Sequence, residues 1–213
     1  LSRALAEKLG YVHLSTGLIY RALGWLALVN SVGFEDTPGL LDLLKFHCVE
    51  FRVDQGRSAA LYIDDIKGDE KLHLPEVSEA ASVTSKHQAV REALLELQRQ
   101  ACPGKNIVVE GRDMGTVVFP DAPVKFFVQA AQEVRIARRL KQLESELGLK
   151  GGDALNSLKK QIEVEILERD ERDSKRPVSP TVPAGDAILV DNSSQTLTEV
   201  LQNMYDAVLK RLG

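Results

Sequence analysis

The strongest constraint on the fold is a set of short apolar runs that alternate with helical patterns. The runs at 11–15 (YVHLS), 107–109 (IVV), 124–128 (VKFFV) and 187–191 (AILVD) are rich in Val, Ile, Leu and Phe. Such runs, buried on both faces and separated by helices, predict a parallel α/β sheet. Helical spacing covers 1–9, where Leu1, Leu5 and Leu9 share a face and Gly10 caps the end. It returns at 18–30, 39–47, 75–85, 88–102, 133–148 and 154–175, and in a last helix to 212 capped by Thr196 or Thr198. One stretch breaks the pattern. VEFRV (49–53) alternates, DQGRS turns, and 60–66 (ALYIDDI) is β-rich, which predicts a hairpin or the edge of a small sheet.

Composition narrows the function. The 213 residues carry a formal net charge of −4, so no general drive toward nucleic acid or membrane exists, and any anion site must be local. Aromatics are only 5%, so aliphatic side chains must fill most of the core. Cys48 and Cys102 form no CxxC, which points to a reduced, cytoplasmic protein. The four histidines (13, 47, 73, 87) have no metal-ligand spacing and read as fold or surface residues. No apolar stretch is long enough to span a bilayer, and no signal peptide opens the chain.

Three stretches carry chemistry. In IVVEGRDMGTVVFPDAPVKFFV (107–128), an apolar strand stops at Glu110, Gly111, Arg112 and Asp113. In an open parallel sheet, ligands bind at the carboxyl ends of strands. Arg112 there offers a fork of donors suited to phosphate, and Asp113 accepts from a base amino group or a partner arginine. A turn with a surface ion pair is the competing reading. In STGLIYR (15–21), Thr16 and Gly17 open a helix where free N–H groups favour an anion, and Arg21 lies one turn along. The alternative is an ordinary helix start with a solvated arginine. In ERDERDSKRP (168–177), Arg169, Arg172, Asp173 and Arg176 recur at spacings of three and four and share a helix face. A solvated, ion-paired helix competes with an arginine cluster that closes over phosphates, as phosphoryl transfer requires. Trp25, on the apolar helix after Arg21, reads as core.

STGLIYR, EAASVTSKHQAVREAL, EGRDMGTVVFPDAPVKFFV and ERDERDSKRPVSPTVPA together resemble the bacterial-type cytidylate kinase family, over nearly the whole chain. The resemblance implies the three-layer α/β fold of the P-loop nucleoside-monophosphate kinases. That fold has a central parallel sheet, a small inserted β subdomain near 43–85 and a helical lid near 133–176. It implies one domain over 1–213, acting as a monomer on small-molecule nucleotides. The implied reaction is phosphoryl transfer from ATP to CMP or dCMP, with Mg²⁺ accompanying ATP and no residue of the chain assigned as a metal ligand. By motif, Thr16 stands near the CMP phosphate, with Ser15 where the family usually has an acid. Arg21, Arg112 and Arg176 match the arginines on that phosphate, and these three are the catalytic candidates. Ser82, Arg91 and Asp113 match the residues around cytosine, where the donor and acceptor types suit its edge. Arg169 and Asp173 match the pair near the ribose. Arg135, Arg138 and Arg139 resemble the start of the lid over ATP. Two alternatives stay open: a kinase of different base preference, and a nucleotide-binding fragment without catalysis.

The second alternative has a specific origin. A kinase of this kind carries a strand and a GxxxxGK[ST] loop that holds the ATP phosphates. No such motif occurs in the 213 residues, and LSRALAEKLG resembles the helix that follows the loop. The expectation is that a strand and loop precede Leu1, and that the intact mass exceeds 23.5 kDa.

Overall fold

The computed structural model describes residues 1–53, 57–68, 70–147, 153–175 and 178–213. Helix α1 (Ser2–Leu9) ends at Gly10, whose φ of 72° suits glycine, and strand β1 (Val12–Ser15) follows. Helix α2 (Gly17–Val29) and helix α3 (Thr37–Phe46) come next, the latter capped by Asp36, whose carboxylate accepts from Gly39 N–H. Strands β2 (Val49–Val53), β3 (Ala59–Ile63) and β4 (Ile66–Lys67) precede helices α4 (Pro75–Thr84) and α5 (Gln88–Arg99). The remaining elements are β5 (Ile107–Glu110), a π-helical turn (Met114–Val118), β6 (Phe126–Gln129), α6 (Gln132–Leu147), α7 (Asp153–Lys175), β7 (Ile188–Asp191) and α8 (Leu197–Leu212).

The parallel pairing that the apolar runs predict is present, divided into two pairs. β1 runs parallel to β5, with Val12 opposite Ile107 and Ser15 opposite Glu110. β6 runs parallel to β7, from Phe126 opposite Ile188 to Gln129 opposite Asp191. Between the pairs the ladder is interrupted, and β5 and β6 both line a cleft of about 1230 Å³. Helices α1 and α8 bridge that break: Leu5, Val200 and Met204 pack with Val108 of β5, Phe126 of β6 and Val190 of β7. α8 is capped by Thr196, not Thr198, in a reciprocal capping box with Glu199.

The β-rich stretch 60–66 is broken in the structure. Asp64 and Asp65 both take positive φ, 49° and 67°, and turn the chain into β4, so β2, β3 and β4 form a three-stranded antiparallel sheet. This is primed-turn geometry, which Asp tolerates better than most residues. Asp64 holds the turn: its carboxylate accepts from Cys48 N–H at 2.8 Å and sits 2.6 Å from His47 Nδ1. Two successive Asp without glycine lack the usual hairpin signature, which is why the sequence hides the turn.

The small sheet docks on β1, where His13 N–H donates to Arg57 C=O at 2.9 Å. Leu14, Ile19, Leu23, Leu26, Leu40, Leu61 and Leu94 form the centre of the main core. Each such side chain contributes about 1.5–3 kcal/mol on burial. Trp25 packs half-buried against that core, with Lys71 Nζ 5.7 Å from its ring centre. Helices α2 and α4 cross at Gly24, where an added Cβ would stand 2.9 Å from Ala80 Cβ and 3.0 Å from Ala81 N. Cys48 is exposed and Cys102 buried. No described helix is long and apolar enough to cross a membrane.

Candidate active site

The site grows from the carboxyl ends of β1 and β5. Their last residues, Ser15 and Glu110, pair across the ladder, and Thr16 N–H donates to Glu110 C=O at 3.1 Å as the chain leaves β1. The two strand exits are therefore fixed together. Thr16 is 1% exposed, and its hydroxyl donates to the same carbonyl at 3.0 Å and lies 3.4 Å from Met114 Sδ. Its side chain packs inward and clamps the exits. Gly111 must be small for the same reason: an added Cβ would stand 2.6 Å from both Thr16 Oγ1 and Met114 Cε.

Arg112 and Asp113 then diverge. Arg112 is exposed at the rim, while Asp113 is 4% exposed and forms an ion pair with Arg91 of α5, itself 7% exposed. Arg91 Nη1 also donates to Ser85 C=O at 3.3 Å, and its guanidinium lies 5.4 Å from the centre of the Tyr20 ring. Arg91 Nε and, on α4, Ser82 Oγ are buried polar atoms with no hydrogen-bond partner. Buried polar groups normally find partners, so an unsatisfied donor beside a buried ion pair marks a place suited to a polar ligand. The π-helical turn follows Asp113, and Arg99 of α5 braces it by donating to Val118 C=O at 2.9 Å and Val117 C=O at 3.2 Å. Such turns recur at functional sites.

Arg21 donates to Leu72 C=O at 2.7 Å. Burial, and after it the nearby positive charge of Arg139, pull its guanidinium below the ordinary value. Two like charges close enough for one to shift the other make a local attraction for an anion. Arg139 belongs to α6, so the charge of this helix is felt at α2. Arg135 of α6 pairs with both carboxylate oxygens of Asp170 on α7. Arg138 donates to Asn192 C=O at 2.8 Å. Arg169 and Asp173 lie on α7, whose backbone carries them four residues apart, and Arg176 lies outside the described residues.

Motif spacing passes over two contributors. Tyr20 lies beneath Arg91, and its only signal in the sequence is adjacency to Arg21. Glu110 closes β5 with its carboxyl held down to about 2, first by His13, with help from the Ser2 and Ser15 hydroxyls against the opposing effect of burial. Its signal was its place as the first acid after an apolar strand.

Comparison with known proteins settles the family. The family model for cytidylate kinase matches residues 1–210. The chain belongs to the cytidylate kinase family. It is 39% identical to cytidylate kinase of Thermotoga maritima, over 100% of this chain and 92% of that relative. It is 38% identical to cytidylate kinase 1 of Haemophilus influenzae, over 100% of this chain and 88% of the relative. With cytidylate kinase of Serratia proteamaculans the identity is 38%, over 95% of this chain and 85% of the relative. The α/β architecture with parallel strand pairs is consistent with the P-loop nucleoside-monophosphate kinase fold of that family.

Proposed function

We propose that this cytidylate kinase family member transfers the terminal phosphoryl group of ATP to the 5′-phosphate of CMP or dCMP, in the cytoplasm, giving ADP and CDP or dCDP. The observation that carries the reading is the buried Arg91–Asp113 pair at the exit of β5, with the Tyr20 ring beside Arg91 and a buried, unpartnered Ser82 hydroxyl on α4. A buried ion pair is weak evidence for stability, because desolvation offsets the attraction. Its chemistry suits recognition of a cytosine edge: the Asp113 carboxylate accepts from an amino group, while Arg91 and Ser82 donate to ring nitrogen and carbonyl.

Arg21 and Arg112 serve as cations for the acceptor phosphate, joined by Arg176. Arg169 and Asp173 serve the ribose, and Thr16 holds the strand exits that aim these groups. Arg135, Arg138 and Arg139 make α6 and α7 a lid over the ATP phosphates, with 43–85 as the part that closes on the nucleoside monophosphate. Phosphoryl transfer asks the protein chiefly to position and to neutralise charge, and these arginines do both.

The residues present also fit Mg²⁺. Among the described residues no group of three His, Cys, Asp or Glu side chains is arranged to hold a metal alone. Mg²⁺ in kinases takes one or two carboxylates plus substrate phosphates. Glu110, ionised at the β5 exit, is the carboxylate that would meet it. With ATP bound, the ion would supply positive charge that offsets the charge of the phosphates.

The test is ADP formation from ATP and Mg²⁺, with CMP, dCMP, UMP or AMP as acceptor. CMP- or dCMP-dependent turnover supports the reading. Faster turnover of UMP or AMP gives a different base preference, and CMP binding without turnover makes the protein a binder.

A further inference from the structure

His13 stands apart from the residues that the reaction recruits. It occupies the middle of β1, opposite Val108 of β5, yet it is only 5% exposed. Val12 and Leu14 on either side face the main core, so His13 points to the opposite face, toward α1. There its Nε2 lies 3.3 Å from Ser2 Oγ and 3.6 Å from Glu110 Oε1. Ser2 Oγ in turn donates to Glu110 Oε2. A hydroxyl has one proton to give. Because the Ser2 proton goes to the carboxylate, the contact with His13 requires Nε2 to be the donor. The order is therefore His13 Nε2–H to Ser2 Oγ, and Ser2 Oγ–H to Glu110, with the imidazole edge also close to the second carboxylate oxygen. One oxygen of Glu110 thus accepts from Ser2 and the other lies 3.6 Å from the imidazole, so both contacts hold a carboxylate that is 46% exposed from the same side.

We propose that His13 is a positioning residue that acts through Ser2 to fix the Glu110 carboxylate for the Mg²⁺ of the bound nucleotide. This inference rests on the kinase reading and names two residues that no motif singles out. The physical need is plain. A glutamate has several rotamers, and a divalent ion that prefers strict octahedral geometry binds poorly to a carboxylate that wanders. Partners that orient a metal-binding carboxylate typically contribute 10- to 100-fold in metal affinity.

The test compares wild type with His13→Leu, His13→Gln and Ser2→Ala. Two quantities are read: the Mg²⁺ concentration for half-maximal rate at saturating CMP and ATP, and Mn²⁺ affinity in the presence of ADP, followed by electron paramagnetic resonance. His13→Leu and Ser2→Ala are each expected to raise the half-maximal Mg²⁺ concentration and to weaken Mn²⁺ affinity by about 10-fold, with KM for CMP unchanged. His13→Gln, which restores an N–H donor, is expected to recover most of the loss. The double variant His13→Leu/Ser2→Ala should lose little more than either single variant, because both break one chain of contacts. Unchanged Mg²⁺ requirement and Mn²⁺ affinity in folded His13→Leu would overturn the proposal. If His13→Leu does not fold, Ser2→Ala, at a partly exposed position, decides by the same criteria. A wild-type protein without kinase turnover would instead refute the functional reading, while the Mn²⁺ measurement still tests the link from His13 to Glu110.

Discussion

Replacing Arg112 with Ala removes an exposed cation from the rim and leaves the packing of β5 alone. kcat/KM should fall by about 10²–10³ with little change in folding, as when one preorganised charge donor is lost. Steady-state kinetics beside a urea melt check this, and near-normal activity removes Arg112 from the mechanism. Its neighbour behaves differently. Asp113→Ala strands the buried Arg91 charge, so it should cost about 3–5 kcal/mol of stability as well as loosen the preference for CMP. An unchanged urea midpoint would show that the pair is not closed in solution. Adjacent residues of one motif thus separate into a functional group and a group that is also structural. The sequence showed the residue types, but only burial shows the division. Glu110 adds a pH dependence. Its folded value of about 2 lies below the ordinary 4.5, so its contribution to stability is present above about 4.5 and is lost as pH falls toward 2. Glu110→Gln should flatten the acid limb of a plot of unfolding free energy against pH, and an unaltered acid limb would place the stabilisation elsewhere.

Helix α2 carries Tyr20 and Arg21, the proposed neighbours of base and phosphate, and crosses α4 closely at Gly24. Gly24→Ala pushes a methyl into Ala80 and the Ala81 backbone. It should cost about 1–3 kcal/mol, read from the urea midpoint, and should raise KM for CMP because Ser82 rides on α4. A silent substitution would mean the crossing has slack. At this scale the sequence was informative wherever a local signal exists. Apolar periodicity located the helices, Gly10 marked the end of α1, and Thr196 was one of two threonines that could start α8. The Asp64–Asp65 turn and the π-helical turn after Asp113 were hidden, since each depends on contacts from distant segments: Cys48 and His47 for the first, Arg99 for the second. The influence of Arg139's charge on Arg21 was hidden for the same reason, because spacing along α6 says nothing about which helix it comes near.

Across the molecule, the parallel character of the strands followed from their composition, whereas their division into β1–β5 and β6–β7 did not. Strand partners are chosen by packing between elements far apart in sequence, and no local pattern encodes it. The division leaves α1 and α8 as the elements that span both pairs, with Asp113 following one pair and α6 the other. The two cysteines follow this architecture. Cys102 is buried, which pushes its thiol up and makes the reactive thiolate scarcer, while Cys48 is exposed on the small sheet that docks against β1. A thiol reagent should therefore modify one site per native chain and a second only on unfolding, as mass spectrometry with and without urea would show. A dye coupled at Cys48 would then sit on the small sheet without any engineering of the sequence, where its emission could follow the approach of CMP in real time.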